Sequence, residues 1–123
     1  HGKIAKYTVI TVDGERIGVV GATTPTLASI TTVGNIAIRP AAPNDLDLLA
    51  AEIQPSVDAL VASGINKIIL LAHMQQLQVE QGLATRLRDV DLIIAGGSNT
   101  GLYDGNDRIR PGDTNGGNYT LRY

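Results

Sequence analysis

Lys67-Ile-Ile-Leu-Leu-Ala72, then Val79, Leu83, Ala84 and Leu87 at helical spacing, then Asp91-Leu-Ile-Ile-Ala95, is the stretch that decides the fold. Both apolar runs are strand-length and do not alternate with polar residues, the pattern of strands covered on both faces. Strand, helix and strand in this order make a right-handed crossover, so the two strands run parallel. Gly82 weakens the intervening helix by about 1 kcal/mol relative to alanine.

Upstream, Tyr7-Thr-Val-Ile-Thr-Val12 and Glu15-Arg-Ile-Gly-Val-Val20 are β-branched runs joined by Asp13-Gly14. An Asp-Gly pair supplies the two positive-φ positions of a tight hairpin turn. Gly21-Ala-Thr-Thr-Pro25 reads as a turn, and residues 26–43 as an irregular excursion with a short strand at Asn35-Ile-Ala-Ile38. Asn44 caps a helix that begins at Asp45, with Asp45 and Asp47 favourable in its first turn. Leu46, Leu49, Ala50, Ile53, Val57, Leu60 and Val61 form its apolar stripe, Gly64 ends it, and Pro55 should kink or divide it. Beyond Thr100 the chain is turn-rich and gives no periodic signal, and no internal repeat is visible.

The class is therefore α/β: a β-hairpin followed by βαβ units. In a parallel sheet, ligands gather beyond the carboxyl ends of the strands. Topology then brings three loops to one edge: Ala22-Thr23-Thr24-Pro25, His73-Met74-Gln75-Gln76 and Gly96-Gly97-Ser98-Asn99-Thr100.

Composition narrows the function classes. The 123 residues amount to about one domain. They are 43% hydrophobic with no Phe or Trp, so the core must be aliphatic. Ten Lys and Arg against twelve Asp and Glu, with no basic block, argue against a nucleic-acid partner. Without cysteine there is no disulfide, thiolate metal site or Cys nucleophile. No apolar run approaches the ~20 residues that span a bilayer. His1-Gly2-Lys3 carries no initiator Met and leads almost directly into strand-like sequence, as if cut from within a longer protein.

His73 is one of two histidines, the other being His1. At a strand end it reads either as a hydrogen-bonded structural residue or as a ligand. The Gly96-Gly97-Ser98-Asn99-Thr100 loop reads either as a turn or as bare backbone that a ligand can approach closely.

Taken together, Gly18-Val-Val-Gly-Ala-Thr-Thr24, Ile69-Leu-Leu-Ala-His73, Leu83-Ala84 and Val90-Asp-Leu-Ile-Ile-Ala-Gly-Gly-Ser-Asn-Thr100 resemble the later part of the catalytic domain of 5′-nucleotidase-like metallophosphoesterases. The resemblance spans roughly residues 3 to 107 and keeps the motifs in order. It is nearest to a subgroup described as atypical alkaline phosphatases. The resemblance implies an α/β/β/α sandwich that hydrolyses phosphomonoesters or nucleotides with two divalent metal ions. It also implies an exported protein, extracellular or periplasmic. His73 matches the family's metal-ligand histidine. Where the family reads Gly-His-Ser-His-Thr, this chain has Gly96, Gly97, Ser98, Asn99 and Thr100. The resemblance makes His73 and Asn99 the metal-side residues, and Gly96, Gly97, Ser98 and Thr100 the loop or phosphate support.

The departures are as informative. A two-metal site needs a ring of carboxylates and imidazoles. The family's Asp-x-His, Gly-Asp and Gly-Asn-His motifs precede the hairpin, and none is here. Gly34-Asn35-Ile36 imitates the last of them with isoleucine in place of histidine. Gly97 has no donor, and Asn99 offers an amide oxygen better suited to Ca²⁺ or Mg²⁺ than to Zn²⁺. The expectation is a single unit over residues 1–123, the C-terminal part of such a catalytic domain without its N-terminal metal-binding half. On its own it should be inactive, hold no metal tightly and self-associate through exposed sheet. The competing reading is a non-catalytic α/β binding or assembly module on a phosphatase-like scaffold.

Other signals are weaker. Gly18-x-x-Gly21 lacks the third glycine of a dinucleotide fingerprint. Asp104, Asn106, Asp107, Asp113, Asn115 and Asn118 fit no EF-hand spacing and read as solvated turns.

Overall fold

The computed structural model describes residues 4–123, so His1 lies outside the described residues. Four strands form one sheet in the order β1-β2-β3-β4. They are β1 (Tyr7–Val12), β2 (Glu15–Thr23), β3 (Ile68–His73) and β4 (Leu92–Gly96). The hairpin forms as its turn chemistry requires: β1 and β2 pair antiparallel from Tyr7 opposite Val20 to Val12 opposite Glu15. Asp13 and Gly14 have φ of 50° and 84°. β2, β3 and β4 are mutually parallel. β3 and β4 each end one residue later than their apolar runs, so His73 and Gly96 are the last residues of strands.

Residues 26–43 differ from expectation. They contain a four-residue helix, α1 (Leu27–Ile30), and the strand expected at Asn35-Ile-Ala-Ile38 does not form. Ile36 is 69% exposed and its N–H donates to Val33 in a turn. β-branching alone does not hold a strand that has no neighbour to pair with.

Helix α2 (Leu46–Ala62) is capped by Asp45, one residue later than Asn44. The Asp45 carboxylate accepts the N–H groups of Asp47 and Leu48 at 3.0 Å each, the two donors an N-cap side chain satisfies. Pro55 neither ends nor divides α2. It sits on the exposed side of the helix, as does Ala51, whose carbonyl loses the missing N–H. Water can serve that carbonyl, and the buried stripe of Leu49, Ala50, Ile53, Val57 and Leu60 runs on past it. Gly64 follows the helix at φ 80°. Helix α3 is shorter than its periodicity, Leu77–Ala84, although Leu87 still packs on the core. A Cβ on Gly82 would lie 2.5 Å from Leu46 Cδ1, so this glycine brings α3 close to the start of α2.

Both crossovers step the same way across the sheet, from β2 to β3 and from β3 to β4. Right-handed connections in one direction put their helices on one face. Val20, Ile68, Leu70 and Ala72 point there, into a core with Ile53, Val57, Leu60 and Leu83. The opposite face is bare, contrary to the expectation of strands covered on both sides. Ile10, Val12, Leu71, Leu92 and Ile94 are 44–50% exposed on it. The unbroken apolar runs of β3 and β4 thus have two apolar faces and one cover. β4 is also an edge strand, with a cavity of about 980 Å³ beside it between α3 and residues 119–123. No described helix is long and apolar enough to cross a membrane.

Asp91 sets the register of β3 and β4, its N–H donating to the Ile68 carbonyl at 2.9 Å and its carboxylate accepting the Ile68 N–H at 2.7 Å. Gly18 lies within β2, not at a strand-to-helix turn, and a Cβ there would come 2.8 Å from Leu60 Cδ1 and 3.2 Å from Ile65 Cγ2. Its smallness serves packing and leaves no phosphate cradle. Gly18→Ala should lower stability by about 1–3 kcal/mol through overpacking. Gly21→Ala, with nothing within 4 Å of the new carbon, should change it by less than about 0.5 kcal/mol. Urea denaturation of both variants checks the contrast.

Candidate functional site

The ends of three strands form one row, as the topology requires: Thr23 pairs with His73, and His73 with Gly96. The loops that follow are tied together at the same rim. The Thr24 N–H donates to the His73 carbonyl at 3.0 Å. Thr24 is buried, and its hydroxyl lies 2.7 Å from that of Thr26 and accepts the Thr26 N–H at 3.2 Å.

Side chains alternate along a strand. With Ile68, Leu70 and Ala72 facing the helices, Ile69, Leu71 and His73 face the bare side. The His73 imidazole is exposed and lies over the two glycines at the end of β4. A Cβ on Gly97 would sit 2.8 Å from His73 Nε2 and 2.9 Å from Cδ2, and one on Gly96 would sit 3.2 Å from Nδ1. Gly97 also has φ 92°, so two independent requirements fix this residue as glycine. Ser98 braces the turn by accepting the Thr100 N–H at 3.3 Å. Asn99 has φ 53° and Gln75 φ 70°. Asparagine tolerates that conformation better than most residues, whereas glutamine has no such ease. Asn99 therefore has a backbone reason for its identity as well as a side-chain donor.

The sequence-based set thus gathers at one rim: His73 over Gly96 and Gly97, with Ser98, Asn99 and Thr100 in the turn beyond. This set alone does not fit a metal ion. Among the described residues no three His, Asp or Glu side chains are grouped closely enough to hold one. In the acidic loop, Asp104 and Asp107 direct carboxylate oxygens to the N–H groups of Asn106 and Asp104 at 2.7 and 2.8 Å. These are local turns, in keeping with the sequence reading.

One residue was missed in the sequence. Glu80 is 3% exposed, and its Oε1 accepts the Met74 N–H at 3.0 Å. The signal was available, because Glu80 falls on the stripe of Leu83 and Leu87, where a charge is out of place.

Gly97→Ala should displace the imidazole and lower stability by about 1–3 kcal/mol, since a left-handed backbone costs a non-glycine residue about 1–2 kcal/mol before the clash is counted. Histidine ring shifts together with thermal melting would test this; an unmoved ring would contradict the contact.

No protein-family model matches the sequence. A 5′-nucleotidase of Diplobatis ommata is 40% identical over 104 residues, covering 80% of this chain and 16% of its own length. The human 5′-nucleotidase is 34% identical over 106 residues, covering 85% and 17%. Among solved structures, the 5′-nucleotidase precursor of Thermus thermophilus superposes with a TM-score of 0.79 at 32% identity, over 96% of this chain and 21% of that one. The NAD nucleotidase of Haemophilus influenzae gives 0.65 at 30% identity, over 82% and 16%. The chain spans about a fifth or less of the length of these relatives. Sequence and fold agree along most of its residues, and the chain belongs to the 5′-nucleotidase-like proteins as one α/β segment of them.

Proposed function

We propose that this segment is the later part of the catalytic domain of an exported phosphomonoesterase, one that hydrolyses nucleotides or related phosphate monoesters. The observation that carries the reading is the position of His73, exposed at the carboxyl rim of a parallel sheet and on its bare face. A layer of further polypeptide against Ile10, Leu71, Leu92 and Ile94 would complete an α/β/β/α sandwich and bring its own donors alongside the imidazole. The names of the relatives, nucleotidases acting on 5′-nucleotides or NAD, support the substrate class. The divalent metal ions of this reading depend on donors beyond this chain, with His73 and the amide oxygen of Asn99 at their edge. Glycine at 97 and asparagine at 99 favour the atypical alkaline phosphatase subgroup within the family.

Those same two positions are the observation in favour of the second reading, a non-catalytic module. The two separate by experiment. The 123-residue chain should show no turnover of p-nitrophenyl phosphate or AMP, whereas the longer gene product should hydrolyse at least one of them. His73→Ala in the longer product should lower its metal content and reduce turnover by on the order of 10²-fold. Turnover by the short chain would refute the division of labour, and unchanged metal content would remove His73 from the site. An inactive long product would leave the module.

The bare face has a consequence for the chain alone. Apolar surface of this extent promotes association, so light scattering should give a mass above the 12.9 kDa of one copy. A well-folded monomer at tens of micromolar would contradict it.

A further inference from the structure

Glu80 is the only buried charged side chain among the described residues. Its Oε2 has no hydrogen-bond partner, so a whole carboxylate is removed from water to make one bond, to the Met74 N–H. With one bond in place of full hydration, this burial costs stability, and the bond falls at a particular peptide. Met74 N–H and His73 C=O belong to the same peptide unit. The carbonyl end accepts the Thr24 N–H at 3.0 Å, and the amide end donates to Glu80 at 3.0 Å. The sheet ladder stops at His73, so the Met74 amide has no strand neighbour and the carboxylate takes that place. The Met74 side chain is itself buried, at 2% exposure. Directly beyond, Gln75 turns into the left-handed region.

A peptide plane held at both ends fixes ψ of His73, and with it the direction in which the Cα–Cβ bond leaves the backbone. We propose that Glu80 is the positioning residue of His73: by clamping the His73–Met74 peptide opposite Thr24, it holds the imidazole over Gly96 and Gly97. Its value to function rests on the reading of His73 given above, but its test does not use activity, so either can fail alone.

The test is NMR on the 123-residue chain, reading two signals: hydrogen exchange of the Met74 amide, and the nuclear Overhauser contact between the His73 ring and the Gly97 α-protons. In the unaltered chain the Met74 amide should exchange more slowly than that of Gln76. Glu80→Gln keeps an acceptor oxygen and should retain both signals. Glu80→Ala should speed Met74 exchange by about tenfold or more, the factor expected for one lost hydrogen bond, and should abolish the ring contact. The amides of Val20 and Leu70 should stay protected. Glu80→Asp, which keeps the charge but withdraws the oxygen, reads the same signals and decides if Glu80→Ala fails to fold. A ring contact that survives the loss of Met74 protection would reduce Glu80 to a purely structural residue and overturn the proposal. So would an unprotected Met74 amide in the unaltered chain, or a lost ring contact in folded Glu80→Gln.

Discussion

The direction of the two crossovers governs the rest of this molecule. Handedness allows each helix only one side of the sheet once the strand order is set, and the order β2-β3-β4 sends α2 and α3 to the same side. The aliphatic core forms there, and the other face keeps its isoleucines, leucines and valines in contact with solvent. Strand alternation then assigns the ends as well as the middles. Because Leu70 and Ala72 are buried under the helices, His73 must belong to the bare face. The one imidazole that the strands carry is thus placed where the chain has left apolar surface uncovered.

The rim owes its order to backbone as much as to side chains. Thr23, His73 and Gly96 share a row of the ladder, and Asp91 fixes that row from the far end of β4 by holding both polar groups of Ile68. A slip of one residue between β3 and β4 would carry every side chain of β4 to the other face and would take Gly96 away from the ring. The carboxylate before the strand and the glycines at its end therefore act on the same geometry from opposite ends.

Much of this was legible in the sequence, for identifiable reasons. Asp13-Gly14 has one comfortable backbone, and the turn follows. Lys67 to Ala72 and Asp91 to Ala95 are too short and too apolar to be anything but strands beside a helical stripe. The meeting of the three loops needed no contact information, since parallel topology entails it. What the sequence concealed was tertiary. Pro55 is accommodated inside α2 with both it and Ala51, whose carbonyl it leaves without an N–H, on the exposed side, and the segment at Asn35 to Ile38 fails as a strand because no partner lies beside it. Unbroken apolar runs announced two covered faces, yet a sequence pattern records what a face prefers and says nothing about what is present to meet it. Glu80 is a different case: it stands in the first turn of α3, where an acid is ordinary, and its place on the stripe of Leu83 and Leu87 is the one sign in the sequence that sets it apart.

His73 and Gly97 constrain one another. A histidine at position 97, as in the pattern this chain resembles, could not simply be added. Its Cβ would begin 2.8 Å from Nε2 of the existing imidazole, on a backbone at φ 92° that disfavours any side chain. The observed ring position and a side chain at 97 exclude one another. Glycine here supplies the surface on which the imidazole rests. The turn beyond it is equally committed, with Asn99 in a left-handed conformation and Ser98 holding the Thr100 amide. The loop after β4 is thus shaped around one histidine, whose ring rests over the two glycines that open it.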